Sequence, residues 1–121
     1  MELPYQMIYD SRFKGRRAVV TGAGSGIGNA IAERLVAEGA VVSLWDINKA
    51  SLSEKSTAQG ICHAVEVDIS DADQVASAMD ETAAVLGRID ILVASAGITG
   101  PNVPTWEYPV DAWNKVIEGN L

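Results

Sequence analysis

Short apolar runs alternate along the chain with longer segments whose apolar residues recur every three or four positions. Arg17-Ala18-Val19-Val20-Thr21 is the first run, and Gly22 closes it. From Gly26 to Glu38, the residues Ile27, Ala30, Ile31, Leu35 and Val36 keep helical spacing, and Gly39 stands where a helix-ending glycine belongs. Val41-Val42-Ser43-Leu44-Trp45 is a second run, ended by Asp46. Residues 48–58 are rich in Ser, Lys and Ala and read as a weaker helix. Ile61 to Val67 is a third run, ended by Asp68. The strongest helical pattern is Ser70 to Leu86, where Val75, Met79, Ala83 and Leu86 share one face. Ser70, Asp71 and Asp73 suit its positive N-terminal end, and Gly87 closes it. Ile89 to Ser95 is a fourth run, followed by Gly97. Gly100-Pro101 and Pro104 mark a loop, and Pro109 to Leu121 reads as a helix carrying Trp113, Val116 and Ile117. Residues 1–15 have no clear period and form a lead-in to a domain spanning 16–121.

The order β-α-β-α-β-α-β-α with apolar strands predicts an α/β fold: a doubly wound parallel sheet with helices on both faces. The run Ile91-Leu92-Val93 predicts a strand covered on both sides. Composition agrees with one globular domain, since 48% of the 121 residues are hydrophobic and 21% charged. A net charge of −7 repels phosphate backbones and argues against a nucleic-acid partner. No apolar stretch approaches the roughly 18 residues of a membrane span, and Met1-Glu2-Leu3-Pro4, with no basic region leading into an apolar run, gives no expectation of a secretory signal. The single cysteine, Cys62, excludes an internal disulfide, and a cytoplasmic location is expected. Its neighbour His63 is expected on the opposite strand face, as part of an ordinary strand pair with no metal. Asp71, Asp73 and Asp80 read as a solvated helix face, and Trp45 as a packing residue.

Candidate chemistry is concentrated in Thr21-Gly22-Ala23-Gly24-Ser25-Gly26-Ile27-Gly28, where the first strand becomes the first helix. A strict G-x-G-x-x-G fails in both frames. The spacing that fits is G-x-x-x-G-x-G through Gly22, Gly26 and Gly28. Glycines permit a tight turn and let backbone approach a pyrophosphate, whose charge the helix-start N–H groups bind. Ser25 and Ile27 lie within that turn, and Thr21 helps to hold it. Asp46 ends the second strand at the distance where an acidic residue receives the adenosine ribose hydroxyls. No basic residue follows it directly, and none precedes Gly26, so the cofactor expected is NAD and not NADP. Asp68 and the Ala94-Ser95-Ala96-Gly97 turn end the third and fourth strands on the same sheet edge, where ligands of such sheets bind.

Together these residues resemble the short-chain dehydrogenase/reductase family. Thr21 to Gly28 looks like its T-G-x-x-x-G-I-G motif, and Asp68-Ile69 like its adenine-contacting aspartate and the residue after it. Ile91 to Ile98 resembles the family's fourth strand with its N-N-A-G turn, and Gly119-Asn120-Leu121 the helix segment bearing a catalytic asparagine. The resemblance implies a Rossmann fold with strand order 3-2-1-4. It implies NAD(H)-dependent hydride transfer between the nicotinamide and a secondary alcohol or ketone, a sugar, polyol or 3-oxoacyl thioester among them. Gly22, Ser25, Gly26, Ile27, Gly28, Asp46, Asp68, Ile69, Ser95, Ala96 and Gly97 would hold the cofactor, and Asn120 would belong to the catalytic set. Full-length members of this kind are expected to be homo-oligomers.

Two departures qualify that expectation. The N-N-A-G turn reads Ala94-Ser95-Ala96-Gly97, so both asparagine amides are replaced. The family's later serine and Tyr-x-x-x-Lys pair are not found, because Tyr5, Tyr9 and Tyr108 are followed four residues on by Tyr9, Phe13 and Ala112. The proton donor and the lysine that tunes it are therefore missing. The 121 residues read as the cofactor half of an enzyme: a fragment, inactive by itself or serving as a non-catalytic NAD-binding module. Trp106, Tyr108 and Trp113 flank the loop after the fourth strand and are read as anchors of that loop on the core.

Overall fold

A computed structural model of the chain describes residues 9–55, 61–98 and 100–120. Most of the lead-in (1–8), the expected helical residues 56–58, Leu121 and the Cys62 side chain lie outside the described part. Four parallel strands form the sheet: β1 Arg17–Thr21, β2 Val41–Asp46, β3 Ile61–Glu66 and β4 Ile91–Ala94. Their order is β3-β2-β1-β4, as the resemblance implies. The crossovers are α1 Gly26–Ala37, α2 Lys49–Lys55 and α3 Ala72–Leu86, while α4 Val110–Asn120 follows β4 after a single 3-10 turn at Thr105–Glu107. Register puts Val20 opposite Leu44 on one side and Val93 on the other.

Alternation along the strands builds two cores. Ala18, Val20, Val42 and Leu44 pack against Ala32 and Leu35 of α1 and Leu52 of α2. Val19 and Trp45 face the opposite side, against Ala78 and Leu86 of α3. Both sheet faces are thus helix-covered, and the strand C-termini Thr21, Asp46, Glu66 and Ala94 share one edge. Ligand-binding residues belong at that edge in an open parallel sheet.

Element boundaries shift inward from the sequence pattern, for identifiable reasons. The helix expected from Ser70 starts at Ala72, because Asp71 is its N-cap and accepts from the Asp73 and Gln74 N–H groups. Its inward face is Ala78, Thr82 and Leu86, with Val75 half-buried, and the expected Met79 and Ala83 are exposed. A small residue and a polar one take the inner positions, so an apolar template selects the wrong shoulder. On α1 the expected face holds at Leu35, which is buried, and at Ile31 and Val36, which pack against the core, but Ile27 is 76% exposed, Ala30 is exposed, and Gly28 and Ala32 take the inner positions. The strand expected over 89–95 is paired only over Ile91–Ala94, and Leu92 is 62% exposed, so β4 is covered on one face rather than two. Trp106 is 84% exposed and does not anchor its loop on the core. Tyr108 packs edge-on against Trp113 of α4, ring centroids 5.9 Å apart, but Trp113 is itself 52% exposed, so this pair ties the loop to α4 and not to the core. His63 lies in β3, and both its ring nitrogens have protein partners, Ser43 and Glu81.

Candidate functional site

The turn from β1 into α1 is shaped by its glycines. Gly22 adopts φ +63°, a conformation costly for residues with a Cβ. A Cβ on Gly28 would collide with the Gly22 carbonyl, so the first turn of α1 sits directly on the end of β1. Ser25 caps α1 in extended conformation with no side-chain cap bond, and the first turn carries no acidic residue. Its N–H groups are the positive end of the helix dipole.

Two strands hold this turn. The Ala23 N–H donates to the Trp45 carbonyl at 3.1 Å, and the Gly24 N–H to Asp46 Oδ2 at 2.8 Å. Asp46 Oδ1 accepts the Asn48 N–H at 2.9 Å. Each carboxylate oxygen still has a lone pair for a further donor. On the other side, Thr21 Oγ1 accepts the N–H groups of Ser95 and Ala96, both at 3.1 Å. The turn Ser95-Ala96-Gly97 is thereby drawn against the glycine turn without the missing asparagine amides.

Asp68 is held by its own loop. Its Oδ1 accepts from Ser70 twice, from the hydroxyl at 2.6 Å and from the N–H at 2.9 Å. The hydroxyl bond is the main reason its carboxyl stays below the ordinary value, with the backbone bond next and the positive charge of Lys115 adding to it.

These pieces enclose a cleft of about 430 Å³ at the strand C-termini, within the range of small-molecule sites. It brings together Gly22, Ser25, Ile27, Gly28, Asp46, Asp68, Ile69, Ser95, Ala96 and Gly97 of the expected residues. Gly26 and Asn120 do not line it. The Asn120 amide is instead engaged by backbone: Oδ1 accepts the Ile98 N–H at 3.2 Å, and Nδ2 donates to the Ile98 and Val116 carbonyls, each at 2.8 Å. The sequence reading missed Gly24, Ser70 and Lys115. Gly24 fell outside the glycine spacing. Ser70, two residues after Asp68, carries the signature of a side-chain-closed turn. Lys115 reaches the cleft from α4 across a long loop, which no local pattern encodes. Among the described residues no group of three or more His, Cys, Asp or Glu is placed to hold a metal ion, and no helix is long and apolar enough to cross a membrane.

Comparison with known proteins agrees with this geometry. The family model for short chain dehydrogenase matches residues 16–121. The chain belongs to the short-chain dehydrogenase family. It is 46% identical over 114 residues to 2-dehydro-3-deoxy-L-rhamnonate dehydrogenase (NAD(+)) of Sphingomonas sp. (strain SKA58), covering 94% of this chain and 46% of that protein. The NAD+-bound crystal structure of a xylitol dehydrogenase superposes with a TM-score of 0.87 at 31% identity, over 92% of this chain and 44% of the other. The NADP-bound C-domain of a bacterial malonyl-CoA reductase superposes at 0.80 with 26% identity, over 93% and 19%. The chain therefore spans about half the length of the curated relatives it matches.

Proposed function

We propose that this chain supplies the NAD(H)-binding part of an oxidoreductase acting on a secondary alcohol or the matching ketone. The observation that carries the cofactor choice is Asp46. Its carboxylate stands at the cleft rim, anchored by Gly24 and Asn48, with accepting capacity left for ribose hydroxyls. A 2′-phosphate there would meet a negative charge with no compensating base beside it. NAD is favoured over NADP on that electrostatic ground, and the rhamnonate and xylitol relatives are NAD proteins by name.

The residues present fit a dinucleotide. The open first turn of α1 faces the cleft with Ser25, Ile27 and Gly28 and offers an anion-binding end, Gly26 shaping the turn from outside the cleft. Asp68 and Ile69 would bound the adenine, and Ser95, Ala96 and Gly97 would let backbone approach the sugar on the nicotinamide side. When bound, the nicotinamide supplies the hydride chemistry. Asn120 contributes by position: its amide ties Ile98 to α4 and so fixes the floor after β4. Sugars, polyols and 3-oxoacyl thioesters are the substrate classes we propose, from the range of relatives.

Calorimetric titration with NAD and with NADP tests the reading, on the protein and on Asp46→Ala. NAD should bind more tightly than NADP. Losing the charged acceptor should weaken NAD by about ten- to a hundredfold, the size of a hydrogen bond to a charged group. Absence of binding at millimolar NAD would sink the cofactor claim. Binding without turnover of any alcohol in a panel, by the full-length protein, would leave a non-catalytic nicotinamide-nucleotide module.

A further inference from the structure

A hydrogen-bonded chain on the far side of β2 ends on a wall of the cleft. The Trp45 Nε1–H donates to Thr82 Oγ1 at 3.1 Å, joining β2 to α3. Thr82 Oγ1 lies 3.5 Å from His63 Nδ1, and Ser43 Oγ lies 2.8 Å from the same nitrogen. His63 Nε2 meets Glu81 Oε2 at 2.9 Å. Ser43 and Thr82 are fully buried, His63 nearly so, and Glu81 is open to solvent. A register shift between Val42 and Ser43 in the β2–β3 pairing sets His63 opposite Ser43.

Donor and acceptor accounting fixes the two ends of this chain. A carboxylate accepts, so Nε2 carries the hydrogen that points at Glu81. A neutral ring then accepts the Ser43 hydroxyl at Nδ1, and a protonated ring donates from Nδ1 to Ser43 Oγ; either way the 2.8 Å contact is satisfied. Thr82 takes the indole N–H. A threonine on the buried face of α3 is explained by that bond, because an indole N–H buried without a partner is costly.

Trp45 is the place where this reaches the cleft. It is only 3% exposed, yet it borders the cavity. Its carbonyl holds the Ala23 N–H, and the next residue, Asp46, holds the Gly24 N–H. The indole is thus carried by the same stretch of backbone from which both anchors of the glycine turn extend. Resting on the cofactor reading above, we infer that Thr82 and His63 are positioning residues: through Trp45 they hold the glycine turn and Asp46 in the geometry that a dinucleotide binds. Neither residue lines the cleft.

The test pairs NAD titration with NMR of protein labelled with fluorotryptophan, the Trp45 resonance being assigned by its loss in Trp45→Phe. Thr82→Val keeps shape and removes the acceptor. It should shift the Trp45 resonance and weaken NAD about three- to tenfold, the scale of one hydrogen bond. Thr82→Ser should restore both. His63→Leu, nearer the surface, should move both readouts the same way, and it carries the test if Thr82→Val fails to fold. A shifted resonance with unchanged NAD affinity overturns the proposal, as does weakened binding with an unmoved resonance. If the unmutated protein does not bind NAD, the cofactor reading fails and the positioning role falls with it. The resonance shift in Thr82→Val still reports whether the Trp45–Thr82 bond exists, so the two failures are told apart.

Discussion

Arg12 donates to the Glu38 carboxylate at 2.6 Å, joining residues 26 apart in sequence. Glu38 is completely buried at the end of α1. The Arg34 Nε–H at 3.1 Å and the Tyr9 N–H at 3.0 Å complete its shell, and its own carbonyl accepts the Phe13 N–H at 2.9 Å. The Arg12 guanidinium lies over the Tyr9 and Phe13 rings, 5.1 and 5.3 Å from their centroids. A buried carboxylate without such partners would be strongly unfavourable. Glu38 therefore straps residues 9–16 to the helix that carries the glycine turn.

This strap predicts an acid-sensitive fold. The Arg12 hydrogen bond, aided by Tyr9 and Arg34 and opposed by burial, holds the Glu38 carboxyl at about 2 against an ordinary 4.5. A depressed carboxyl contributes stability that is complete above its unfolded value and lost as pH falls through its folded one. Unfolding free energy should thus fall between about pH 4.5 and pH 2. In Glu38→Gln that part of the pH dependence should vanish, with stability lowered at neutral pH. Denaturant melts at several pH values check this, and an unchanged acid limb in Glu38→Gln would refute it.

The same residue shows what could be read from the chain and what could not. Strands were legible because apolar runs such as Ala18-Val19-Val20 are buried on both sides, and burial of that kind needs no partner identity. The cleft was legible because Gly22, Gly28 and Asp46 act largely through local backbone geometry and strand position. The pattern marks Glu38 only as the last residue of a helix, since its partners Arg12 and Tyr9 come from a segment with no period. Thr82 was hidden likewise, its burial making sense only once the Trp45 indole lies above it. Polar residues inside a core are set by three-dimensional partners, and a one-dimensional pattern assigns them to the surface.

Thr21 should prove more important than a strand-end threonine usually is. Its hydroxyl oxygen accepts the Ser95 and Ala96 N–H groups and lies 3.4 Å from the Val93 carbonyl, to which it donates. Thr21→Val keeps the shape and leaves two N–H groups facing a methyl. A loss of about 1–3 kcal/mol is expected from that desolvation, with Thr21→Ser close to the original. Chemical denaturation of the two variants decides it; equal stability of Val and Ser would mean that water replaces the hydroxyl.

Gly28→Ala should separate folding from binding less cleanly. The added methyl meets the Gly22 carbonyl and comes within 3.1 Å of Ser95 Oγ, so α1 must move off the end of β1. Overpacking of this kind typically costs about 1–3 kcal/mol, and displacement of the helix start should weaken NAD by more than about tenfold. Calorimetry beside a thermal melt reads both. Retained NAD affinity in a folded Gly28→Ala protein would show that the helix start is not the anion-binding end.

Asn120 supplies a test that depends on which atom faces which. Its Oδ1 faces an N–H of Ile98, and its Nδ2 faces the carbonyls of Ile98 and Val116. Only an amide in this orientation satisfies all three, because a carboxylate has no hydrogen to give. Asn120→Asp, although isosteric, should therefore be at least as disruptive as Asn120→Ala, since its charge would face two carbonyl oxygens. Both should free the backbone after β4, speeding amide exchange at Ile98 by about tenfold or more, as expected for loss of bonds worth over 1 kcal/mol together. Hydrogen exchange followed by NMR measures this directly. If Asn120→Asp protected Ile98 as well as asparagine does, the bond between Nδ2 and the Ile98 carbonyl would not be what ties that segment to α4.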